Sequence, residues 1–450
     1  MTLPPKPESR PAKVSLWRYA RLFRQDILSA QPARLYRAWM AEFKTPFFRS
    51  YLINQPDLIQ TVLKTRPDEY PKSDRIGEGL RPLLGNSVFL TNGAIWKRQR
   101  RIIDPAFEGG RLRETFPAIW DAAEAAAARL APYDGAPLEV EAQTSHAAAD
   151  VIFRTLFSIP IEHHMAREVF DEFKTYQRSQ PILNIAAFVP LPRWLPRLFR
   201  RDTKRSAAKI RRLITALTAE RMEAIKAGTA PDDLATKIMT TPDPEDGSTF
   251  TTEEMVDQVA IFFLAGHETS ASALAWAMYL VATHPDWQDR LAEEAQAIDQ
   301  CDFAVMGKLR QSRDVFREAL RLYPPVPMMV REASCPATFR DRTVVRGAQV
   351  VISPWHLHRH ERLWDNPDGF DPARWHSENG KKCQREAYLP FSAGARVCPG
   401  AGFAMVEGPL ILSRILRDYR IEVVGEKPPV PVAHLTVRSK DGILLRFVRR

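Results

Sequence analysis

The sequence predicts a mainly α fold, one large helical domain around a long central helix, with a small β portion divided between the two ends of the chain. Three observations predict it. The segment from Thr251 to His284 is apolar almost all round and carries a start and a stop signal at its ends. Further segments at 115–131, 145–157, 164–178 and 201–226 have helical composition or period. Short β-type runs occur only near 47–53, between 338 and 353, and in the tail. No internal repeat or flexible linker interrupts the 450 residues. Residues 31–450 therefore read as a single domain behind an N-terminal extension over 1–30.

Taken in order, Leu16-Trp17-Arg18-Tyr19-Ala20-Arg21-Leu22-Phe23-Arg24 is amphipathic if helical. It reads either as a terminal helix packed on its own domain or as a helix lying on a membrane surface. The strand-like run Phe47–Ile53 leads into Asn54-Gln55-Pro56-Asp57, where proline suits a helix start. Trp96–Ile103 is a basic helical pattern closed by Asp104-Pro105. Between Pro181 and Pro196 a proline- and aromatic-rich stretch reads as a mobile loop. For the central segment, Thr251 with Glu254 is a capping-box pattern and His284-Pro285 the stop. One helix over that span is about 50 Å long at ~1.5 Å per residue. Glu268 in its middle would be costly in lipid, so it reads as a core helix rather than a membrane span. A helix at 312–322 stops at Pro324-Pro325. Strands follow at Thr338–Arg340, Thr343–Val345 and Gln349–Ser353, with Arg346-Gly347 as a turn between the last two. A helix at 400–417 and a strand-rich tail complete the order.

Composition removes several function classes. Cys301, Cys335, Cys383 and Cys398 form no C-x-x-C pair, which argues against structural zinc and a disulfide framework and points to a reducing compartment. The net charge of +10 is diffuse and accompanies no nucleic-acid module, while leaving room for an acidic protein partner or an anionic membrane surface. Residues 1–11 lack the apolar stretch of a secretory signal. These points predict a cytoplasmic monomer whose membrane contact is at most peripheral, at the inner face.

The chemistry gathers in Phe391-Ser392-Ala393-Gly394-Ala395-Arg396-Val397-Cys398-Pro399-Gly400. A lone cysteine in a glycine-punctuated loop precedes a helix N-terminus, where dipole charge and backbone N–H groups stabilise a thiolate. Such a thiolate suits haem iron. From the residues alone, a buried inert cysteine is an equal reading.

This decapeptide fills every fixed position of F-x-x-G-x-R-x-C-x-G, and the chain resembles the cytochrome P-450 superfamily, in particular soluble bacterial-type members with a stand-alone haem domain. The resemblance runs over nearly the whole chain in the family's order. Glu318-Ala319-Leu320-Arg321 is similar to its E-x-x-R motif, and Phe370–Trp375 to the segment that supplies Arg374 to a buried triad with Glu318 and Arg321. Ala265-Gly266-His267-Glu268-Thr269 is similar to A-G-x-[D/E]-T, with the small residues clearing space above the haem and His267 at the variable position. The resemblance implies haem b, with Cys398 as axial ligand and Trp96, Arg100, Ala265, Arg331, Phe391, Gly394, Arg396 and Gly400 around it. Gly394 and Gly400 let the backbone approach a flat macrocycle. His356 and His358 read as structural.

The implied activity is monooxygenation of a hydrophobic substrate, with Glu268 and Thr269 relaying protons and electrons arriving from a separate ferredoxin or flavodoxin with its reductase. Two other hypotheses stand beside it: a peroxide-driven or rearranging haem-thiolate enzyme, and a haem-based sensor or carrier. Ile261, Phe262, Leu264, Val326, Met328, Met329 and Val330 are the candidate pocket walls, supplemented by loops near 76–90, 181–190 and 433–437. Lys97, Arg98 and Arg101, with Lys381, Lys382 and Arg385, read as a basic docking face for the donor. Unrelated solvated charges are the alternative.

Overall fold

The computed structural model describes residues 3–44, 49–179, 201–433 and 435–450. The loop expected at 181–196 lies outside them. The chain is mainly helical with small sheets, and divides into two compact units. One comprises Met1–Pro71, Ala123–Ser145 and Glu268–Arg450, the other Lys72–Ala122 and His146–His267. The chain passes between units at Pro71-Lys72 and within the helices Phe116–Ala128, Val140–Phe157 and Thr252–Ala282.

All strands among the described residues belong to the first unit. They are β1 (Met40–Lys44), β2 (Arg49–Ile53), β3 (Pro137–Glu139), β4 (Met329–Glu332), β5 (Ala337–Phe339), β6 (Arg342–Val344), β7 (Gln349–Ile352), β8 (Tyr419–Val423), β9 (Pro431–Ala433), β10 (Val437–Ser439) and β11 (Leu444–Arg449). The largest sheet has the order β1-β2-β7-β4. β2 runs parallel to β7, pairing Tyr51 with Val350 and Ile53 with Ile352, and β4 lies antiparallel to β7 with Arg331 opposite Val350. Tyr51, Ile53, Val350 and Ile352 bury into one core with Trp364 and Trp375.

β5 and β6 form their own hairpin, turned at Arg340-Asp341, with Arg340 at φ +56°. The expected Arg346-Gly347 turn exists, with Gly347 at φ +80°, but it is not a hairpin turn. β6 pairs with β5 while β7 pairs with β2 and β4, so the turn hands the chain from one sheet to another.

The helix Ala401–Asp418 packs on Arg310–Leu322 so closely that a Cβ at Gly408 would fall 2.2 Å from Cζ of Phe316. In the second unit the helix Arg201–Lys226 has its expected bounds and packs against His164–Ser179.

The central helix runs Thr252–Ala282. Its capping box is formed in full: Glu254 N–H donates to Thr251 Oγ1 at 3.2 Å, and Thr251 N–H donates to Glu254 Oε2 at 2.9 Å. Pro285 opens the next helix, Pro285–Gln296. No helix among the described residues is long and apolar enough to cross a membrane.

Candidate functional site

In the first unit the decapeptide 391–400 is a tight loop. Ser392 and Gly394 take φ of +63° and +69°, and a short turn over Gly394–Arg396 closes with Val397 N–H donating to Gly394 O at 3.0 Å. Cys398 N–H then donates to Phe391 O at 2.9 Å, which folds the loop back on itself. Cys398 is exposed and outside any disulfide, three residues before the helix Ala401–Asp418.

The two glycines of this loop have different surroundings. A Cβ on Gly394 would sit 2.0 Å from Leu63 O, so this glycine admits the neighbouring backbone of its own chain. Gly400 has an ordinary φ of −79°, and a Cβ there would lie 3.9 Å from Cys398 Sγ, in simple contact.

Arg331 projects from β4, buried to 7% exposure. Burial, then the positive charge of Arg396, pulls its pKa down to about 10, and no carboxylate pairs with it among the described residues. A buried guanidinium beside a second cation is costly unless an anion joins them, so this corner fits a carboxylate-bearing ligand.

Glu318, on the helix Arg310–Leu322, is fully buried. It accepts from Arg321 Nε and Nη2, each at 2.8 Å, from Arg374 Nε at 2.9 Å and from Asp371 N–H at 3.0 Å. Burial opposes its ionisation, but Arg321, Arg374 and the amide outweigh it and hold the carboxyl below the usual range. The spare donors of Arg321 reach the carbonyls of His358, Pro367 and Gly369. Those of Arg374 reach Asp365, Asn366 and Gly369.

His358 extends this network. Its Nε2 accepts from Leu389 N–H at 2.8 Å and its Nδ1 lies 3.2 Å from Arg321 O, which fixes the Nδ1–H tautomer. Burial pushes its pKa down to about 3, so it stays neutral. It therefore ties the Glu318 helix to the approach of the cysteine loop. His356, at about 3 for the same reason, binds Ser353.

The middle of the central helix has one open face. Ala265 is exposed, and Phe262 and Thr269 are half-buried, at spacings of three and four residues that share a side. Ile261 and Leu264 are buried. Gly266 serves packing, because a Cβ would meet Ile152 Cδ1 at 2.2 Å. His267 is buried edge-on against Phe170. Glu268 is buried and lies 3.5 Å from Nη2 of Arg438 on β10. Beyond the Glu318 helix, Val326 is exposed, while Met328, Met329 and Val330 are half-buried at the start of β4.

Glu407, on the helix after the cysteine loop, is buried and accepts a hydrogen bond from Ser270. Burial raises its pKa from 4.5 to about 7. The native state therefore binds a proton that the unfolded chain releases between about pH 4.5 and 7, and stability falls as pH rises through that window. At full ionisation this costs about 3 kcal/mol. Glu407→Gln should flatten the slope, so that thermal midpoints of variant and wild type diverge as the pH rises from 5 to 7.5. Parallel profiles would mean that Glu407 is not held neutral.

In the second unit Trp96 is buried on the helix Gly93–Ile103, and Arg100 Nε pairs with Asp104 Oδ1 at 2.7 Å. The expectation that Arg98 and Arg101 face solvent for a partner is corrected. Arg98 binds Glu254 Oε1 at 2.8 Å, Ser248 Oγ at 3.0 Å and Thr249 O at 2.9 Å. Arg101 grips both oxygens of Asp243, at 2.6 and 2.8 Å, and holds that carboxyl down at about 2. These arginines clamp the Trp96 helix to the approach of the central helix. In the first unit Lys381 pairs with Glu378 at 3.0 Å, and Lys382 and Arg385 are exposed.

Sequence reasoning missed Arg438, Glu407, Asp243 and the bridging geometry of His358. A buried acid in an apolar helix was the only visible signal, at Glu407.

A family model described as Cytochrome P450 matches residues 36–446. The chain is 32% identical over 387 residues to the cyclooctat-9-en-7-ol 5-monooxygenase of Streptomyces melanosporofaciens, covering 84% of this chain and 81% of that protein. It is 30% identical over 431 residues to cytochrome P450 4A14 of Rattus norvegicus, covering 91% and 82%. The crystal structure of the cytochrome P450DA heme domain matches with a TM-score of 0.80 at 23% identity, covering 100% of this chain and 98% of that one, which supports the fold.

Proposed function

The chain belongs to the cytochrome P450 family and is a haem-binding monooxygenase, and we propose that the Cys398 thiolate would hold the iron of haem b in a single domain over residues 31–450. The observation that carries this reading is the exposed Cys398 thiol at the end of a folded-back loop, just before a helix N-terminus that favours its ionised form. The haem supplies the redox and oxygen-activating chemistry, and the remaining tasks fall to side chains.

Arg331, buried beside the positive charge of Arg396 and without a carboxylate partner among the described residues, is assigned with Arg396 to haem propionates. Trp96 and Arg100 are assigned to the same cofactor by resemblance alone. Phe391, Gly394 and Gly400 shape the loop, and Ala265 leaves room on the central helix. Glu318, Arg321 and Arg374 keep the cysteine side rigid.

Glu268 and Thr269 manage protons. Arg438 holds Glu268, and Thr269 adjoins it on the open helix face. Thr269→Ala should retain haem and substrate binding while diverting reducing equivalents to peroxide or water. The ratio of product to NAD(P)H consumed measures this, and an unchanged ratio would remove Thr269 from the relay.

The substrate is a hydrophobic molecule, and Ile261, Phe262, Leu264, Val326, Met328, Met329 and Val330 are its candidate contacts by resemblance, all of them apolar. One relative's name gives an unsaturated alcohol as its substrate. Electrons come from a ferredoxin or flavodoxin with its reductase. Lys382 and Arg385 are the candidates for its docking.

Reconstitution tests the whole reading. Oxygen and NAD(P)H should disappear with product formation only when a donor system is present. Turnover with peroxide alone would favour the donor-independent alternative, and ligand-dependent spectra without product would favour a sensor.

A further inference from the structure

We propose that the outward face of the helix Leu16–Gln25 is a docking site for an anionic phospholipid surface. The charge distribution is the first ground. Residues 1–37 contain eight lysines and arginines against two carboxylates, more than half of the whole chain's net charge of +10. Some of these cations are used internally. Lys6 pairs with Asp368, Arg37 with Glu361 at 3.7 Å, and Arg10 donates to Ala30 O at 2.6 Å. Lys13, Arg18, Arg21 and Arg24 pair with no carboxylate among the described residues, and the helix itself contains no acid.

The packing of the helix is the second ground. Its apolar side is covered by its own unit: Tyr19 hydrogen-bonds Gln31, stacks under the Arg10 guanidinium at 5.4 Å and lies 5.6 Å from Phe23. Ser15 caps one end through Arg18 N–H. At the other end Asp26 accepts from Leu28, Ser29 and Ala433 N–H. The helix is therefore a fixed element, and its outer face is not a core face awaiting a lid.

That outer face carries Trp17, 86% exposed, with Arg21 and Arg24 one and two turns along the same side and Arg18 beside them. A fully exposed indole amid unpaired guanidiniums has a poor environment in water. At a bilayer boundary the ring reaches the headgroup level while the guanidiniums meet phosphates. The strand stitched to the end of this helix, β9, is flanked by Val430 and Leu435, 43% and 42% exposed, which offer further apolar contact. The contact proposed for this face is peripheral. One aromatic and four cations make it weak, reversible and salt-sensitive.

An acidic redox protein is the competing occupant, and the test separates the two. Haem-loaded full chain is sedimented with vesicles of phosphatidylcholine alone, or with a quarter phosphatidylglycerol. The protein should pellet with the anionic vesicles only, and be released at 0.5 M salt. Each basic residue at such a surface is worth about fivefold in partitioning, so R18E/R21E should lower it by about twentyfold or more. Trp17→Ala should weaken binding while leaving its salt dependence intact. Neither variant should alter haem content or substrate-induced spectra. No binding to anionic vesicles, equal binding to neutral ones, or binding unchanged in R18E/R21E would overturn the proposal. So would reduction by an acidic ferredoxin that drops in R18E/R21E while no vesicle is bound, which would reassign the face to a protein.

Discussion

Replacing Cys398 by His is expected to abolish the strongly red-shifted Soret band of the reduced carbonyl complex and to end product formation, while haem still binds. The band reports thiolate ligation, and an imidazole donates too little electron density to reproduce it. The surroundings of Cys383 and Cys335 set them apart from Cys398. Cys383 is buried, donates to Leu363 O, and has its pKa pushed up by burial to about 11. Cys335 donates to Glu69 Oε2 at 3.1 Å, and this hydrogen bond to a carboxylate raises its pKa above the ordinary value. Both environments preserve the thiol. Cys398 instead precedes a helix N-terminus, and its loop is held by its own backbone bond to Phe391 O. Cys383→Ser and Cys335→Ser should therefore keep the red-shifted band that Cys398→His loses. A band surviving in the histidine variant, or vanishing in Cys383→Ser, would show that the ligand is misassigned.

What was legible in the sequence was mostly local. Thr251 and Glu254 sit one helical turn apart, so their reciprocal bonds follow from the pattern itself. The helix Arg201–Lys226 was equally readable from composition and period. Strand pairing was not. β1 and β3 carry no distinctive alternation, and the parallel partnership of β2 with β7 joins segments far apart in the chain. The Arg346-Gly347 turn was visible as a turn, but whether it closes a hairpin depends on what else competes for β7.

The site divides along the same line. Motif residues such as Glu318, Arg321 and Cys398 carry fixed spacing and could be named, whereas their supports could not. Arg438 lies in a tail strand without a motif, and only folding brings it to Glu268. Arg98 and Arg101 show the converse error. Their charges were visible but their partners were not, because Asp243 and Ser248 lie in a turn whose place relative to the Trp96 helix is set by tertiary structure.

Glu318→Ala is expected to remove haem retention and much of the fold's stability rather than catalysis alone. The carboxylate compensates two guanidiniums that are themselves buried, Arg321 at 0% and Arg374 at 4% side-chain exposure. Removing it leaves two like charges facing each other in a dry core. Breaking one partner from a buried pair typically costs ~3–5 kcal/mol, against a whole-fold margin of about 5–15 kcal/mol. The damage is transmitted because Arg321 also supports Pro367, Gly369 and His358, and His358 holds Leu389 N–H just before the cysteine loop. Glu318→Gln separates shape from charge. It preserves an oxygen acceptor but not the negative charge, so it should fall between wild type and alanine in both thermal midpoint and haem per chain. The size of the alanine effect also discriminates between a rigid triad and a surface-like pair, which would be worth under about 1 kcal/mol. Soluble, fully haem-loaded Glu318→Ala protein with a wild-type thermal midpoint would contradict the assignment of this triad as the support of the cysteine side.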